Sequence, residues 1–250
     1  MSIATILHYN TMDFRFLEAN LKQISKFSNE IIVPIFTRLF SGEEEDQELL
    51  DKSKELFNRY ACDVKFFEWD GTRDETPMYY HTLNRKLGTE MSNSEWLFFI
   101  DTDEIVDDEF VPWVNEAIKT DNTYWLTSYW YFREPIYQAT SYEAQGALVK
   151  KHKCNWDLSL ANDRGQIFQA SNFHDGYNGA HVLSESGKPM MHHFSWVRTK
   201  EQMLKKVKNW GHRHDRDWIS LVEEEFSRPF NGTDFVHNYS YNTVENKFNI

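Results

Sequence analysis

The sequence predicts an α/β fold, in which a mostly parallel central sheet is flanked by helices and followed by a C-terminal helical extension. Over the first hundred residues, short apolar runs alternate with longer amphipathic ones, which is typical of repeated strand–helix units. The run EWLFFI at 95–100 is almost continuously apolar, as expected of a central parallel strand covered by helices on both faces. From residue 199 onward the apolar spacing becomes helical.

The first half of the chain contains the predicted strand–helix units. Leu17, Leu21 and Ile24 recur at helical intervals, so they predict a first helix between two strands. The predicted strands of this half are 3–8, 30–36, 63–69 and 95–100, and its predicted helices are 14–27, 49–57 and 78–91.

The second half follows a different pattern. TYWLTSYWYF at 123–132 is rich in aromatic residues and predicts a strand, and the segments that begin at Gly165 and Pro189 predict two more. Thr199 and Gln202 form a capping-box signature, which predicts the start of a helix. We expect the final segment, from RPFNG onward, to be an irregular tail that packs on the domain.

The composition argues against several classes of partner. The chain has 250 residues, with 27 Lys and Arg against 39 Asp and Glu and a formal charge of −12. Such a surface repels phosphate backbones and anionic lipid, so we expect neither nucleic acid nor a membrane as a partner. The two cysteines lack a metal-ligand spacing, and neither a secretory leader nor a run of roughly 18 apolar residues is visible, so we expect a cytoplasmic protein.

A pair of carboxylates follows the apolar run. Asp101 and Asp103 come directly after the predicted central strand, and ligands bind at the carboxyl edge of open α/β sheets. Two such Asp residues offer hard oxygen ligands to Mn²⁺ or Mg²⁺. The spacing alone is weak evidence, because Asp215 and Asp217 repeat it in a polar stretch without a preceding strand. Position therefore favours a site at the first pair and a solvated turn at the second.

Four features of the chain resemble one known family. The first strand ends in HYNTMD, similar to the Tyr-Asn that follows the first strand in that family, and LNRKLGTEMSNSEWLFFIDTDE resembles its Asn-Arg-Gly run, helix and acidic motif. The strand–helix alternation and the late pair His192-His193 add to the likeness, which covers residues 1–110 best. On these features the chain resembles the nucleotide-sugar glycosyltransferases of the GT-A (Rossmann-like) fold, particularly family 2.

The resemblance implies a role for each residue of these motifs. Asp103 would bind a Mn²⁺ or Mg²⁺ ion that bridges the two phosphates of a nucleotide sugar, and Asp101 would contact the ribose or the metal. Tyr9 and Asn10 would lie along the base, and Arg85 near the diphosphate or the sugar. The donor would be a UDP- or GDP-sugar, and the acceptor a hydroxyl group of a saccharide or glycoconjugate.

The resemblance leaves the identity of the base open. Family members often carry an Asp after the second strand, whereas this chain reads Phe36-Thr37-Arg38. Asp70, which follows the third predicted strand, is the candidate that replaces it.

The expected organisation is one catalytic domain with an appended end. We expect the catalytic domain at 1–198, with a nucleotide-binding half at 1–105 and an acceptor-side half at 106–198. The C-terminal helix and tail, 199–250, would pack on the same domain, since the chain is long enough for one sizeable core.

The histidine pair offers one further candidate metal ligand. In PMMHHFSWV, strand alternation sends His192 and His193 to opposite faces. His193 shares its face with Ser195 and is the favoured ligand, whereas His192 would pack in the core. A hydrogen-bonded structural role for both imidazoles is the alternative.

An inverting transfer also needs a carboxylate that takes the proton of the acceptor hydroxyl. The acids that follow the metal motif are Glu143, Asp157, Asp163 and Asp175. We favour Asp175, because NFHDGYNG is loop-like and close in sequence to the His pair. A surface-loop acid is the alternative for each of the four.

Basic residues concentrate late in this acidic chain. They are Arg198, Lys200, Lys205, Lys206, Lys208, Arg213 and Arg216. This local reversal of charge could attract a diphosphate or an anionic acceptor. The alternative, which we prefer for most of the lysines, is the solvated face of a helix.

Two other classes of protein compete with a transferase. A HAD-like phosphatase also ends a strand with Asp-X-Asp, but there the motif closes the first strand, whereas here it closes about the fourth and continues to Glu104. The aromatic content of 16% suggests the second alternative, a non-catalytic module that binds nucleotide sugars or carbohydrate.

Overall fold

Strands and helices from the whole length of the chain build the predicted α/β fold. The computed structural model describes residues 1–68, 77–154, 156 and 181–250. The strands are β1 Ile3–His8, β2 Glu30–Phe36, β3 Asp63–Phe67, β4 Trp96–Asp101, β5 Glu104–Val106, β6 Tyr124–Phe132, β7 Glu134–Lys150, β8 His181–Val182, β9 Met191–Trp196 and β10 Tyr241–Thr243. The helices are α1 Phe14–Ile24, α2 Gln47–Arg59, α3 Pro77–Met91, α4 Phe110–Ala117, α5 Lys200–Asn209 and α6 Trp218–Phe226. Within these described ranges, no helix has the length and apolarity that a membrane crossing requires.

The sheet has a parallel half and a mixed half. Its order is β3-β2-β1-β4-β7-β6-β9-β5, with β10 beside β7 and β8 beside β6. Strands β3, β2, β1 and β4 pair in parallel, whereas β7 lies antiparallel to both β4 and β6. The chain places β2 and β3 on one side of β1 and then β4 on the other, so the strand order reverses between β1 and β4. Ligands of α/β proteins bind outside the carboxyl ends of strands at such a reversal.

Strand β4 lies in the centre of the sheet, and helices cover both of its faces. Trp96 to Ile100 are completely buried. Phe98 and Ile100 pack in the cluster that includes the apolar residues of α1, α2 and α4, while Leu97 and Phe99 face the opposite cluster, which Met91 at the end of α3 joins. The predicted class, including helices on both faces of the sheet and a C-terminal helical extension, is confirmed.

Two segments differ from the sequence-based expectation. The sequence predicts no strand at β7, because EPIYQATSYEAQGALVK mixes Pro, Gly, Gln and Glu without regular alternation; pairing with β4, β6 and β10 nevertheless satisfies its backbone. The expected irregular tail is wrong in part, since it contributes β10 to the sheet. Asp234 folds the chain before β10 by accepting the backbone N–H groups of Val236, His237 and Tyr239. The strand predicted from Gly165 lies outside the described residues.

Side-chain caps open both C-terminal helices. The predicted capping box is confirmed, because the Thr199 side chain accepts the Gln202 backbone N–H and the Gln202 side chain accepts the Thr199 backbone N–H. Asp217 caps α6 by accepting the Ser220 backbone N–H, and Asp215 pairs with His212. The second Asp-X-Asp motif therefore makes local structural contacts.

Gly88 allows α3 to lie close to the sheet. A Cβ atom at this position would lie 2.3 Å from Ile6 Cγ2 and 3.2 Å from Pro34 Cγ. Ile6 Cγ2 branches directly from its Cβ, so it cannot turn away without moving β1. The helix preference of Ala, worth about 1 kcal/mol, is too small to offset this overpacking.

We expect Gly88→Ala to lower the free energy of unfolding by about 1–3 kcal/mol, measured by urea denaturation. Glu90→Ala, at an exposed position of the same helix, serves as the control and should change stability by less than about 0.5 kcal/mol. A Gly88→Ala protein as stable as the wild type would contradict the close contact.

Candidate active site

A pocket of about 490 Å³ lies outside the carboxyl ends of β1 and β4. These strands pair in parallel with His8 opposite Asp101, so their last residues meet where the strand order reverses. Asp101 and Asp103 line the pocket on the β4 side, and Arg198 and Lys206 line it from the segment that follows β9. Its size is within the range of small-molecule sites, about 300–1,000 Å³.

Buried hydrogen bonds fix the acidic turn that carries both Asp residues. The Asn20 amide, from α1, lies 3.1 Å from the Asp101 carbonyl oxygen, 3.2 Å from that of Thr102 and 2.5 Å from that of Glu104. The Thr102 hydroxyl donates to the His8 carbonyl at 2.8 Å. The turn is therefore held from α1 on one side and from the end of β1 on the other, which gives the two carboxylates defined positions.

Asp101 is paired with a buried arginine. Arg85 of α3, 1% exposed, places Nη2 2.8 Å from Asp101 Oδ1. His8 Nδ1 lies 3.5 Å from the same oxygen. Because α3 packs on β1 and β2, the helix that precedes β4 brings its arginine to the carboxyl end of β4. Arg85 and Asp101, which the resemblance places near the donor, thus form one charged pair at the edge of the sheet.

Asp103 lies deeper and is surrounded by three basic side chains. Its Oδ1 lies 3.6 Å from His193 Nε2, and its Oδ2 lies 3.7 Å from both Arg198 Nη2 and Lys206 Nζ. Burial alone would raise the pKa of Asp103, but the hydrogen bond and charge of His193 and the charge of Lys206 hold that pKa below its ordinary value. Burial likewise opposes the charge of His193, but Asp103 raises the pKa of the imidazole. Each member of the pair therefore favours the charged form of the other.

The predicted metal ligands share this pocket with two basic side chains. Asp101, Asp103 and His193 all line it. In the part of the chain that the structure describes, no group of three or more His, Cys, Asp or Glu side chains is arranged to hold a metal. Arg198 and Lys206 already face Asp103, and two like unit charges 4 Å apart repel by about 4 kcal/mol at an effective dielectric constant of 20. A divalent ion on this carboxylate would have to overcome both repulsions.

The residues predicted along the base shape the loop after β1. The Tyr9 hydroxyl is hydrogen-bonded to Ser53, and Tyr9 is buried. Asn10 caps the 3₁₀ turn Thr11–Asp13, because its Oδ1 accepts the Met12 N–H at 3.0 Å and its Nδ2 donates to Asp13 at 2.9 Å. Both residues line the pocket while their side chains are engaged within the protein.

A neighbouring wall of the pocket is aromatic. The rings of Phe40 and His81 lie 4.5 Å apart between centroids, and Phe40 is stacked with His8 at 5.9 Å. All three side chains line the pocket. Sequence reasoning missed this wall, since the three residues come from separate elements and no local pattern connects them.

The histidine pair is divided between two environments. His193 lines the pocket, whereas His192 Nδ1 hydrogen-bonds the Tyr131 hydroxyl at 2.8 Å and its Nε2 lies 3.6 Å from Asp107. Burial lowers the pKa of His192, and Asp107 offsets part of this effect. The alternation of β9 thus places one imidazole at the site and the other in the interior.

Among the candidate proton acceptors, the structure describes Glu143. Asp157, Asp163 and the favoured Asp175 lie outside the described residues, as does Asp70, the candidate for reading the base. Glu143, on β7, lines the pocket. Its Oε1 accepts the Tyr239 hydroxyl at 2.9 Å and its Oε2 accepts the Gln145 amide at 2.9 Å. These bonds hold a carboxylate at the wall that Trp130 and His193 also line.

Two further acids, which sequence reasoning missed, support the loop after β1. Asp13 pairs with Arg198, and Glu45 accepts both the backbone N–H and the hydroxyl of Thr11. Burial raises the pKa of Glu45, and the bonds from Thr11 offset part of the rise.

The signal for Lys206 was present in the sequence. This residue shares the apolar face of α5 with Met203 and Val207, at helical spacing.

Comparison with known proteins gives a likeness of fold only. No protein-family model matches the sequence, and no well-described protein is similar to it in sequence. Among solved structures, one of S. aureus TarS is 12% identical with a TM-score of 0.48, and the alignment covers 83% of this chain and 38% of that one. TarS 1-349 in complex with UDP is 11% identical, with a TM-score of 0.46 and coverage of 91% and 72%. The complex of TarS 1-349 with UDP-GlcNAc is 13% identical, with a TM-score of 0.44 and coverage of 91% and 73%.

We expect Asn20→Ala to loosen the acidic turn and to lower the free energy of unfolding by about 1–3 kcal/mol, because it leaves buried carbonyl groups without their donor. Thermal and urea denaturation measure the change. Asn122→Ala, at an exposed position, is the control and should change stability by less than about 0.5 kcal/mol. If Asn20→Ala is as mild as the control, the turn does not depend on α1.

Proposed function

We propose that this pocket binds a nucleoside diphosphate sugar and transfers the sugar to a hydroxyl group of a saccharide or glycoconjugate. One observation carries the proposal: Asp101 ends the central strand at the reversal of strand order, Asp103 follows it in the turn, and buried cations line the same pocket. Cations at a pocket wall can bind the two phosphates of such a donor, and they stabilise the negative charge that develops on the diphosphate as it leaves.

The walls of the pocket suggest how the donor lies. The aromatic wall formed by His8, Phe40 and His81 offers flat faces to the base, and base–aromatic stacking contributes about 1–3 kcal/mol per base. Arg85 and Arg198 lie on the side of the carboxylates, where the diphosphate would be. The sugar would then face β6 and β7, which contribute Trp130 and Glu143.

Glu143 is the described residue best placed to accept the proton of the acceptor hydroxyl. Its carboxylate is oriented by Tyr239 and Gln145, and His237 Nε2 lies 3.7 Å from Oε1. A carboxylate that is held by donors and remains at a pocket wall meets the geometric requirement for a general base. Asp175, which lies outside the described residues, stays a prediction beside it.

The three candidate functions differ in the reaction that each would catalyse, and a binding module would catalyse none. Purified protein is incubated with UDP- and GDP-sugars and saccharide acceptors, with Mn²⁺, with Mg²⁺ and with a chelator, and in parallel with simple phosphomonoesters. Transfer or slow hydrolysis of a nucleotide sugar supports the proposal. Release of phosphate from a monoester would favour the HAD-like phosphatase, and tight binding without turnover would favour a binding module. The Mn²⁺ or Mg²⁺ ion expected from the sequence stays a prediction that the three conditions test.

We expect Glu143→Gln to reduce the rate of sugar transfer about 10²- to 10⁴-fold, because an amide cannot take the acceptor proton, while the Kd of the donor changes little. Steady-state kinetics and calorimetry measure the two effects. Glu134→Gln, at the exposed start of the same strand, is the matched control and should transfer sugar at the wild-type rate. A Glu143→Gln enzyme with normal turnover would remove Glu143 from the mechanism.

A further inference from the structure

The candidate site contains cations that are unusually deep for their type. Arg198 is 2% exposed and Lys206 is 8% exposed, yet both line the pocket. Burial of a charged side chain is costly unless the charge is paired, so a buried cation at a pocket wall indicates a specific partner. Burial lowers the pKa of Lys206, and Asp103 offsets part of this effect. Two nearby carboxylates, Asp13 and Asp103, act as the internal counter-ions of the two cations.

The local structure directs both cations toward the acidic turn. Arg198 lies at the end of β9, where its Nε donates to the Ser195 carbonyl at 2.9 Å and its Nη1 donates to the Met12 carbonyl at 2.6 Å. Lys206 belongs to the buried face of α5, and its Nζ lies 5.7 Å from the ring centroid of Trp210. Contacts within the protein therefore hold both side chains at the pocket.

Asp103 has no oxygen that lacks a basic neighbour. Oδ1 faces His193 and Oδ2 faces both Arg198 and Lys206, at 3.6–3.7 Å. In a site for a divalent ion, the carboxylate oxygens are expected to face the ion, and positively charged side chains are expected to lie away from it. Here the positions next to the carboxylate are occupied by positive groups of the protein itself.

We propose that Arg198 and Lys206 bind the donor diphosphate directly and replace the divalent cation, with Asp103 as their counter-ion before the donor arrives. This inference rests on the proposed function and deepens it. During transfer, the bond between the anomeric carbon and the diphosphate oxygen breaks and its electron pair leaves with the nucleoside diphosphate. The guanidinium and the ammonium stabilise that charge, while the acceptor oxygen forms the new bond and its proton passes to Glu143.

The first test requires no variant. Binding of UDP and GDP to the wild-type protein is measured by calorimetry in excess chelator, in Mn²⁺ and in Mg²⁺. We expect at least one nucleotide to bind in chelator. Its Kd should change less than about threefold when either ion is added, which is well below the tenfold change that 1.4 kcal/mol of binding free energy from a metal ion would produce. Binding that appears only with Mn²⁺ or Mg²⁺ overturns the inference and leaves the proposed function intact. Absence of nucleotide binding in all three conditions contradicts the proposed function itself.

The second test removes the positive charge of Lys206. Lys206→Met keeps the length and apolar contacts of the side chain and should weaken nucleotide binding in chelator about tenfold or more, with little effect on binding of the nucleoside alone. Lys208→Met, at an exposed position of the same helix, is the control and should bind like the wild type.

Asp103→Asn gives opposite results for the two mechanisms. If Arg198 and Lys206 hold the diphosphate, removal of the competing carboxylate leaves nucleotide binding unchanged or tighter. If a metal ion on Asp103 holds it, the same change abolishes binding that is seen with Mn²⁺. Circular dichroism and thermal denaturation establish that each variant is folded. Loss of binding in a folded Asp103→Asn protein, or wild-type binding by a folded Lys206→Met protein, overturns the inference.

Discussion

The guanidinium of Arg198 connects three chain segments at the candidate site, and the surrounding structure depends on this contact. It donates to the carbonyl groups of Met12 and Ser195, contacts the carboxylate of Asp13 and lies 3.7 Å from Asp103. The loop after β1, the acidic turn after β4 and the end of β9 therefore share one buried cation. Removing a single partner from a buried ion pair typically costs about 3–5 kcal/mol, so these segments hold their relative positions together.

This arrangement makes fold and site inseparable. Asn20 holds the acidic turn from α1, and Arg198 meets the turn from the other wall of the pocket. Neither contact is local in sequence, and both side chains are buried. The bonds that position the strands also fix the carboxylates and cations of the site. The site is therefore organised before a ligand enters, so that electrostatic stabilisation of the ligand requires little reorganisation.

The sequence predicted the parallel half of the fold because each element there has a regular local pattern. The apolar run of β4 and the helical spacing of Leu17, Leu21 and Ile24 depend only on near neighbours. The side chains from Trp96 to Ile100 and those of the three helical residues are all buried as expected. Strand β7 could not be predicted in this way. It pairs with β4, β6 and β10, and partners on both sides supply the hydrogen bonds that its own composition does not favour.

The same division holds for the candidate site. The position of Asp101 and Asp103 followed from one buried strand and a general property of α/β sheets. The sequence also named Arg85 and His193 as site residues, and Arg198 and Lys206 as members of a basic cluster. It could not pair them with particular carboxylates, because Arg85 lies on the preceding helix and the other three come from distant parts of the chain. Lys206 left a further sign in the sequence, since it is a charged residue on the apolar face of α5. The preference for a solvated helix face, which was stated for most of the lysines, did not use the register of Lys206 with Met203 and Val207.

The charge of the whole protein explains why such a local cluster is needed. A chain of net charge −12 repels an anionic donor at long range, but at physiological ionic strength exposed charges beyond about 8 Å are largely screened. Contacts within the pocket then decide binding. Cations without counter-ions would be costly to bury in the ligand-free protein, and pairing with Asp13 and Asp103 offsets part of that cost. A diphosphate that enters can take over from Asp103 as the partner of Arg198 and Lys206, while His193 continues to contact the released carboxylate.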